Sequence, residues 1–340
     1  MKKYLIDPNK KQYKANLHCH SNLSDGRLAP EHLKRAYKDK GYSILAITDH
    51  ERPHNHSNLT REDFLMLTGY EAYIRPSETA EYNVYSPEIH LNLFAKQPDN
   101  EAYVCYNDVY CKYIKNPIER LGLNKVGSTR QREYTVEYIN EFIETAVDNG
   151  YLVAYNHPVW SMEDEDRILS YDNIFSLEMD NYGSWQMNRL EHNGVLYDKI
   201  LRNGKGWFCH GSDDNHNRGD INDPVESDSF GAFTMIMADS LDYETVISAM
   251  EKGEMYSSTG PLIYEVSIEG DNIMVKSSNA KTIICYDGSK SPKRWESDGG
   301  KLTEAEFTLN SKAEYFRIAV IDENGKIASS RGFLRREWEE

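Results

Sequence analysis

The stretch YSILAITDH, residues 42–50, is an apolar run that ends in an aspartate and a histidine. It follows APEHLKRAYKDKGY (29–42), in which an early proline and glutamate and a late glycine are typical of a helix. An apolar run of this length beside a helical segment predicts a buried strand. The same alternation of helical segments and apolar runs recurs along the chain and indicates an α/β fold.

Short apolar runs recur through the first 260 residues. They are FLMLTGY (64–70), EIHLNLFA (88–95), YLVAY (151–155), NIFSLEM (173–179), GWFC (206–209) and AFTMIMA (232–238). Between them, TVEYINEFIETAVDNG (135–150) and SLDYETVISAMEKG (240–253) have the spacing of amphipathic helices and end in glycine. Strands that alternate with helices indicate a parallel sheet, and this number of repeats fits a closed β/α barrel. We therefore predict an α/β barrel domain over residues 1–260.

The pattern changes near Gly260 and Pro261. From there to about Arg335 the apolar runs are short and alternating, with turn sequences such as EGDN and DENG between them. We predict a small antiparallel β domain over residues 261–340. Residues 96–133 are rich in Tyr, Asn and Lys and weakly periodic, which fits either an insertion or lid over the barrel mouth or a plain loop.

Composition excludes several classes of protein. The formal charge is −16, from 39 basic and 55 acidic side chains, which disfavours long nucleic acid as a partner. The sequence has no apolar run long enough for a membrane span, and its N-terminus lacks the apolar segment of a signal peptide, so we expect a cytoplasmic protein. The five cysteines are scattered and form no CxxC pair, which argues against a disulfide framework or a thiolate zinc site.

Histidines and carboxylates collect at or near the ends of the apolar runs. Two pairs, in HCH and DNH, are spaced i and i+2, so that both side chains of a pair point to one face of an extended chain. Because strand ends of a β/α barrel share one face, these side chains are expected to converge. The set is His18, His20, Asp25, His50, Glu71, His90, His157, Asp214 and His216.

Six histidines and three carboxylates are too many for a single zinc ion, which takes four ligands. Shared between two or three divalent ions the number is reasonable, and imidazole with carboxylate suits Mn, Zn or Fe. Paired metal ions are the usual clamp for hydrolysis of phosphate esters. The remaining histidines are interpreted as ordinary core or surface residues: His32, His54, His56, His192 and His210.

Three arginines lie just after ligand-bearing segments, where a guanidinium would suit phosphate. They are Arg27, Arg52 and Arg218, and each is equally compatible with plain solvent exposure. Trp160 and the tyrosines are candidates for stacking on a base or ring, or for packing at the rim.

The ordered motifs HCHSNLSDG, AITDH, GYE, EIHLNLF, NHP and GSDDNH resemble those of the PHP (polymerase and histidinol phosphatase) family over residues 14–260. The resemblance implies a distorted seven-stranded, TIM-like β/α barrel with an appended C-terminal β domain. It also implies a trinuclear metal centre. One ion would be held by His18, His20, Glu71 and Asp214; a second by Glu71, His90 and His157; and a third by Asp25, His50 and His216.

Two further aspartates, Asp213 and Asp49, lie next to the ligands in sequence. The D-x-H spacing selects Asp214 as the ligand, so that Asp213 would support the ligands from behind. Asp49 would orient a neighbouring ligand by hydrogen bonding. The catalytic set is then Glu71, Asp214 and His216, and His50 or His216 is a candidate for protonating the leaving group.

The function expected from these features is metal-dependent hydrolysis of a phosphomonoester of a small metabolite by a metal-activated hydroxide. Candidate substrates are nucleotides, nucleoside bisphosphates, histidinol phosphate and sugar phosphates. Alternatives are a nuclease-like activity, hydrolysis of a non-phosphate ester or amide, and a non-catalytic metal-binding module. The expected partner is a small phosphorylated substrate rather than a membrane, and the β domain could mediate a homo-oligomer contact.

Overall fold

The computed structural model describes residues 2–77, 79–299 and 301–339. The strands of the first part of the chain are β1 (Lys3–Ile6), β2 (Lys11–Asn16), β3 (Ile44–Ala46), β4 (Leu65–Leu67), β5 (Gly69–Ile74), β6 (Ile89–Ala95), β7 (Tyr103–Val104), β8 (Lys125–Val126), β9 (Tyr151–Tyr155), β10 (Ser176–Asn181), β11 (Phe208–Ser212), β12 (Phe233–Ala238) and β13 (Met255–Ser258). Those of the last part are β14 (Ile263–Glu269), β15 (Asn272–Ala280), β16 (Thr282–Tyr286), β17 (Lys293–Glu296), β18 (Leu302–Thr308), β19 (Tyr315–Ile321), β20 (Ile327–Ser330) and β21 (Phe333–Leu334).

The helices connect the strands along the whole chain. They are α1 (Pro30–Asp39), α2 (Pro117–Leu121), α3 (Val136–Asp148), α4 (Pro158–Ser161), α5 (Glu165–Ile168), α6 (Tyr182–Asn188), α7 (Gly194–Arg202), α8 (Tyr243–Glu251) and α9 (Arg336–Glu339), with one 3₁₀ turn at Ser57–Leu59. Among the described residues, no helix combines the length and the apolar composition that a membrane span requires.

The three predicted helices form as α1, α3 and α8. In α3 the Thr135 side chain accepts a hydrogen bond from the backbone N–H of Tyr138, which satisfies one of the free donors at the helix start. The buried stripe of this helix packs in one cluster with strands β6, β9 and β10. The helix thereby supports the strands that carry several of the predicted ligands.

The fold is mixed α/β, as predicted, but a closed barrel is not confirmed. In the described chain the strands form open sheets, including a five-stranded sheet in the order β11-β10-β9-β6-β5 and a ten-stranded sheet that runs from β17 to β4. Strands β9, β10 and β11 are parallel, and so are β2, β3 and β4. The prediction of a purely parallel sheet was wrong, because β6 is antiparallel to both β5 and β9, and β12 is antiparallel to β2. The described residues between β5 and β6 form no helix, and β6 pairs directly with the strand that precedes it.

The C-terminal strands are antiparallel, as their alternating pattern predicted. Strands β14, β15 and β18 form a four-stranded sheet with β1, whereas β16, β19 and β20 continue the ten-stranded sheet through β13. Sheet pairing therefore extends across the proposed boundary at residue 260. The division into domains 1–260 and 261–340 stays a prediction.

Residues 96–133 contain a small parallel pair, β7 and β8, and the short helix α2. Tyr103, Tyr106, Cys111 and Ile114 form a separate small apolar cluster within this segment. The segment is tied to the body of the protein by Arg132, which is described with the metal centre below. Its role as an insertion or lid stays a prediction.

Candidate metal centre

Backbone contacts between distant segments bring the nine predicted ligands together. The chain after β2 runs beside the chain after β11: Cys19 bridges Asn215, and the N–H of Asp214 donates to the carbonyl of His18 at 2.9 Å. A second bridge joins His50, just after β3, to Glu71 in β5. Since each bridge aligns two motifs, the HxH and DxH pairs face the same space.

The first group of converging side chains contains His18, His20, Asp214 and Glu71. The Asp214 Oδ1 atom lies 3.2 Å from His18 Nε2 and 3.0 Å from His20 Nε2. Glu71 Oε1 lies 3.2 Å from His18 Nε2, and its Oε2 lies 3.4 Å from His20 Nε2. Ligand atoms on a tetrahedral ion with bonds of about 2.0–2.1 Å are separated by about 3.4 Å, so these spacings suit one shared cation.

A second group surrounds the other side of Glu71. Its Oε1 atom lies 3.0 Å from His90 Nδ1 and 3.3 Å from His157 Nε2. Its Oε2 atom lies 2.9 Å from His50 Nδ1. Glu71 therefore stands between several imidazoles, which is the position that a bridging carboxylate requires.

The third group is the most open part of the cluster. The Asp25 Oδ1 atom lies 3.5 Å from His216 Nε2, 3.8 Å from His50 Nε2 and 3.9 Å from His20 Nδ1. The Asp25 side chain is 30% exposed and that of His216 is 19%, whereas the His18 and His20 side chains are fully buried. His20, which the family resemblance places with the first ion, faces this group with its second nitrogen.

The donor atoms fit divalent metal ions. Among the described residues, four buried atoms of the cluster make no hydrogen bond of acceptable geometry: His20 Nδ1, His50 Nδ1, Glu71 Oε2 and His90 Nε2. Two of them, His50 Nδ1 and Glu71 Oε2, lie 2.9 Å apart, and His90 Nε2 lies 3.3 Å from Glu88 Oε1. Buried polar atoms are nearly always paired, because leaving one unpaired costs roughly 1–3 kcal/mol. Four such atoms in one cluster of imidazoles and carboxylates match the ligand chemistry of Zn, Mn or Fe.

The ligand side chains differ in their charge states. Burial together with the neighbouring His216 and His50 lowers the pKa of His20 to about 4. Although burial opposes ionisation, the surrounding imidazoles hold the pKa values of Glu71 and Asp214 well below their usual range. Near neutral pH the carboxylates are therefore ionised and His20 is neutral. Burial opposes the charge of His18 and His216, but the neighbouring carboxylates raise the pKa of both, that of His216 to about 9. These two imidazoles must therefore release a proton when a metal ion binds.

Glu178 was not among the site residues predicted from the sequence, but its side chain contacts the candidate ligand His18. Its fully buried carboxylate contacts His18 Nδ1 at 3.0 Å and accepts hydrogen bonds from the backbone N–H of His157 at 2.8 Å and from the side chains of Asn181 and Ser212. The contact fixes which nitrogen of His18 faces the centre. A carboxylate inside the apolar run NIFSLEM was the available signal, because a charged residue inside a buried strand needs partners.

Two neighbouring aspartates hold loops. Asp49 accepts hydrogen bonds from the N–H and hydroxyl of Ser21 at 2.7 and 2.6 Å and from the hydroxyl of Ser24, so that it orients the loop between His20 and Asp25. Asp213 points away from the ligands and accepts the backbone N–H groups of residues 230–232 and the hydroxyl of Tyr37. Burial raises the pKa of Asp213 to about 6, despite these bonds.

The backbone at the cluster is locally strained. Glu51, His157 and Asp214 have φ values of +50°, +25° and +52°, a region that residues other than glycine rarely occupy. Each is a predicted ligand or the neighbour of one. Strain of this kind persists only where the surroundings enforce it, and it commonly marks functional sites.

The segment 96–133 contacts the centre through a buried ion pair. Arg132 donates to both carboxylate oxygens of Glu51, at 2.5 and 2.9 Å, and both side chains are fully buried. Tyr103 donates a further hydrogen bond to Glu51, at 2.8 Å. Since Glu51 directly follows His50, this pair connects the segment to one of the candidate ligands.

The three predicted phosphate-binding arginines have different surroundings. Arg27 and Arg218 are exposed, and the backbone N–H of Arg27 donates to the carbonyl of His216. Arg52 donates to the carbonyl of Tyr113 at 3.1 Å and to Glu119 at 2.7 Å, which occupies two of its nitrogens.

The histidines interpreted as ordinary residues lie outside the groups that could hold a metal ion in the described chain. His192 is paired with Asp180, and His210 contacts Ser176. Within the described residues, the buried His56 Nε2 atom has no hydrogen-bond partner. The His56 ring contacts the ring of His54.

No protein-family model matches the chain, and no curated protein sequence matches it either. Among solved structures, it is similar to a two-domain protein from Bacteroides vulgatus that contains a predicted PHP-like metal-dependent phosphoesterase. The TM-score is 0.46, with 14% identity over 93% of this chain and 92% of that one.

Two further solved structures are similar over a smaller part of the chain. A candidate metal-dependent phosphoesterase from Bifidobacterium adolescentis has a TM-score of 0.39 and 16% identity, over 64% of this chain and 93% of that one. An amidohydrolase from Chromobacterium violaceum, with bound sulfate and no metal, has a TM-score of 0.39 and 14% identity, over 59% and 87%.

The chain resembles PHP-like metal-dependent phosphoesterases. The arrangement of the nine side chains comes from the structure of this chain itself.

Proposed function

We propose that the protein is a metal-dependent hydrolase that cleaves the phosphomonoester of a small metabolite. The observation that carries the proposal is the convergence of six imidazoles and three carboxylates, of which four buried donor atoms make no well-formed hydrogen bond among the described residues. In the reaction, the oxygen of a water molecule bonds to phosphorus, the ester P–O bond breaks, and the leaving alkoxide takes up a proton. The products are an alcohol and inorganic phosphate.

When bound, two or three divalent ions (Mn, Zn or Fe) would supply a water of lowered pKa and neutralise charge on the phosphoryl oxygens. His18, His20, Glu71 and Asp214 would hold one of them. Glu71, His90 and His157 would hold a second, and Asp25, His50 and His216 a third.

The chain's own residues would orient the substrate and move a proton. His50 and His216 belong to the exposed side of the cluster, with side chains 13% and 19% exposed, and they are the candidates for protonating the leaving oxygen. Arg27 and Arg218, which are both exposed, would contact phosphate oxygens beside them. Arg52 would act through Tyr113 and Glu119, which it already contacts.

A small substrate is supported by the acidic charge of −16, which would repel a polyphosphate chain. A further part of the proposal is that the protein acts in the cytoplasm on nucleotides, nucleoside bisphosphates, histidinol phosphate or sugar phosphates.

The test measures phosphate release from such a panel by Mn²⁺-loaded protein and by Asp214→Asn. We expect turnover of one substrate class and a loss of at least 100-fold in the variant, because Asp214 contacts two other ligands at about 3 Å. Asp166→Asn, an exposed position on α5, is the matched control and should retain full activity. Absence of turnover on every member with metal-replete protein would contradict the proposal.

A further inference from the structure

Three partly exposed aromatic rings, Tyr82, Tyr113 and Trp160, lie around the metal centre, and we call them the aromatic rim. The Trp160 ring lies 4.8 Å from the His157 ring and 5.0 Å from the His90 ring, centroid to centroid. The Tyr113 ring is within 20° of parallel to His50 at 6.2 Å. The rim thus directly contacts three of the candidate ligands.

Trp160 is held by a built support. The backbone N–H groups of Val159 and Trp160 donate to the two oxygens of Glu191, at 3.0 and 3.1 Å, and Glu191 is buried. Pro158 begins the short helix α4 immediately after His157. The backbone that carries Trp160 is therefore held in place next to the candidate ligand His157.

Tyr82 is placed opposite Trp160 by an arginine. The guanidinium of Arg75 lies between the rings of Tyr73 and Tyr82, 4.3 and 5.2 Å from their centroids. It is ion-paired with Glu88 and donates to the carbonyl of Ala80. Tyr82 and Trp160 are within 15° of parallel with centroids 6.5 Å apart, and Tyr82 is 59% exposed.

Exposed apolar side chains lie next to the rim, together with the charged residues Glu81 and Lys112. Four apolar side chains next to it in sequence are also exposed: Val84 (56%), Tyr85 (91%), Val159 (38%) and Met162 (48%). The charge of Arg75 is already matched by Glu88. A group of exposed apolar side chains around a site is typical of a binding surface, and aromatic side chains stack well on the planar rings of bases.

We propose that the alcohol part of the substrate carries a planar aromatic ring, as in a nucleoside, and that this ring stacks on the aromatic rim at Trp160. The proposal rests on the phosphoesterase function proposed above, and it narrows the substrate class. The phosphoryl group then lies at the histidine and carboxylate cluster while the ring contacts the rim.

The test compares AMP with ribose 5-phosphate, which differ only by the base. Trp160→Ala should lower kcat/KM for AMP about tenfold, the size expected for loss of one base–aromatic contact, and change that for ribose 5-phosphate less than about twofold. Trp160→Phe, which retains a ring, should recover most of the loss. Trp295→Ala, at a 52% exposed tryptophan on β17, is the control and should leave both substrates unaffected.

Binding of adenosine and of ribose can each be measured by equilibrium dialysis, without turnover. The comparison therefore tests the rim separately from the phosphoesterase function on which the proposal rests. Retention of adenosine by the wild type and its loss in Trp160→Ala support the rim even if no phosphoester is hydrolysed. Equal losses for AMP and ribose 5-phosphate, or adenosine binding that is absent or unchanged by the substitution, would overturn it. Phenyl phosphate distinguishes the sources of the ring: a matching loss supports any planar ring, and no loss supports a nucleoside.

Discussion

His18 and Glu178 form a fully buried pair in which the imidazole Nδ1 lies 3.0 Å from the carboxylate Oε1. The other nitrogen of His18 faces Glu71 and Asp214. A histidine whose far nitrogen is held by a carboxylate presents its near nitrogen to a metal in one fixed orientation, and the carboxylate makes it a stronger ligand.

The first prediction concerns this pair. Glu178→Gln should weaken metal binding about 10- to 100-fold while the fold is retained, because the amide keeps the shape but not the charge. Competition with a chromophoric chelator for Zn²⁺ or Mn²⁺ measures the affinity. Glu144→Gln, on the exposed side of α3, is the control. Unchanged affinity in Glu178→Gln would show that the carboxylate has only a packing role.

Gly26 is required by close packing. A Cβ atom at this position would lie 2.2 Å from the carbonyl oxygen of His20, so that the backbone must move. Gly26→Ala should displace Asp25, reduce the amount of metal bound, and lower the stability by about 1–3 kcal/mol. Metal analysis and thermal unfolding measure both effects. Gly122→Ala, where the nearest atom would be 3.6 Å away, should change neither; a fully metal-loaded Gly26→Ala protein would contradict this account.

The buried Arg132–Glu51 pair predicts an asymmetric response to mutation. Arg132→Met leaves a buried carboxylate without its cation and should cost about 3–5 kcal/mol in the free energy of unfolding. Adding Glu51→Gln should recover part of that loss. Arg130→Met, at an arginine 47% exposed beside Glu133 and Glu141, should cost less than about 1 kcal/mol. Urea denaturation measures all four proteins, and similar losses for the two arginines would contradict the burial argument.

His192 predicts a pH dependence of stability. Burial opposes its charge, but Asp180, whose oxygen lies 2.7 Å from Nδ1, raises the pKa of His192 above the usual 6.5. The stabilisation is therefore fully present below about pH 6.5 and is lost as the pH rises through the higher pKa of the folded state. The difference in unfolding free energy between wild type and His192→Asn should be largest at pH 5.5, below about 1 kcal/mol because the His192 side chain is 37% exposed, and should decrease towards pH 8.5. The exposed His32→Asn is the control, and a constant difference would contradict the assignment.

The local elements were predictable because their signals are local. Helix α3 has its apolar stripe and its Thr135 cap in the sequence, and the alternating runs after residue 260 form antiparallel strands. The direction of β6 was not predictable from its composition. An apolar run is compatible with a parallel or an antiparallel strand. The direction depends on which neighbouring strands of the sheet are available for pairing.

The sequence predicts which side chains can form the metal centre, since imidazoles and carboxylates recur where strands end. Their distances follow from long-range backbone pairing: the Cys19–Asn215 and His50–Glu71 bridges align four motifs that are far apart in the chain. Tertiary packing also places Glu178 beside His18, directs Asp213 away from the ligands, and sets Trp160 against His90 and His157. The type of a residue limits the chemistry of its side chain, and this can be read from a short stretch of sequence. The distance between two remote residues depends on backbone pairing and packing across the whole chain.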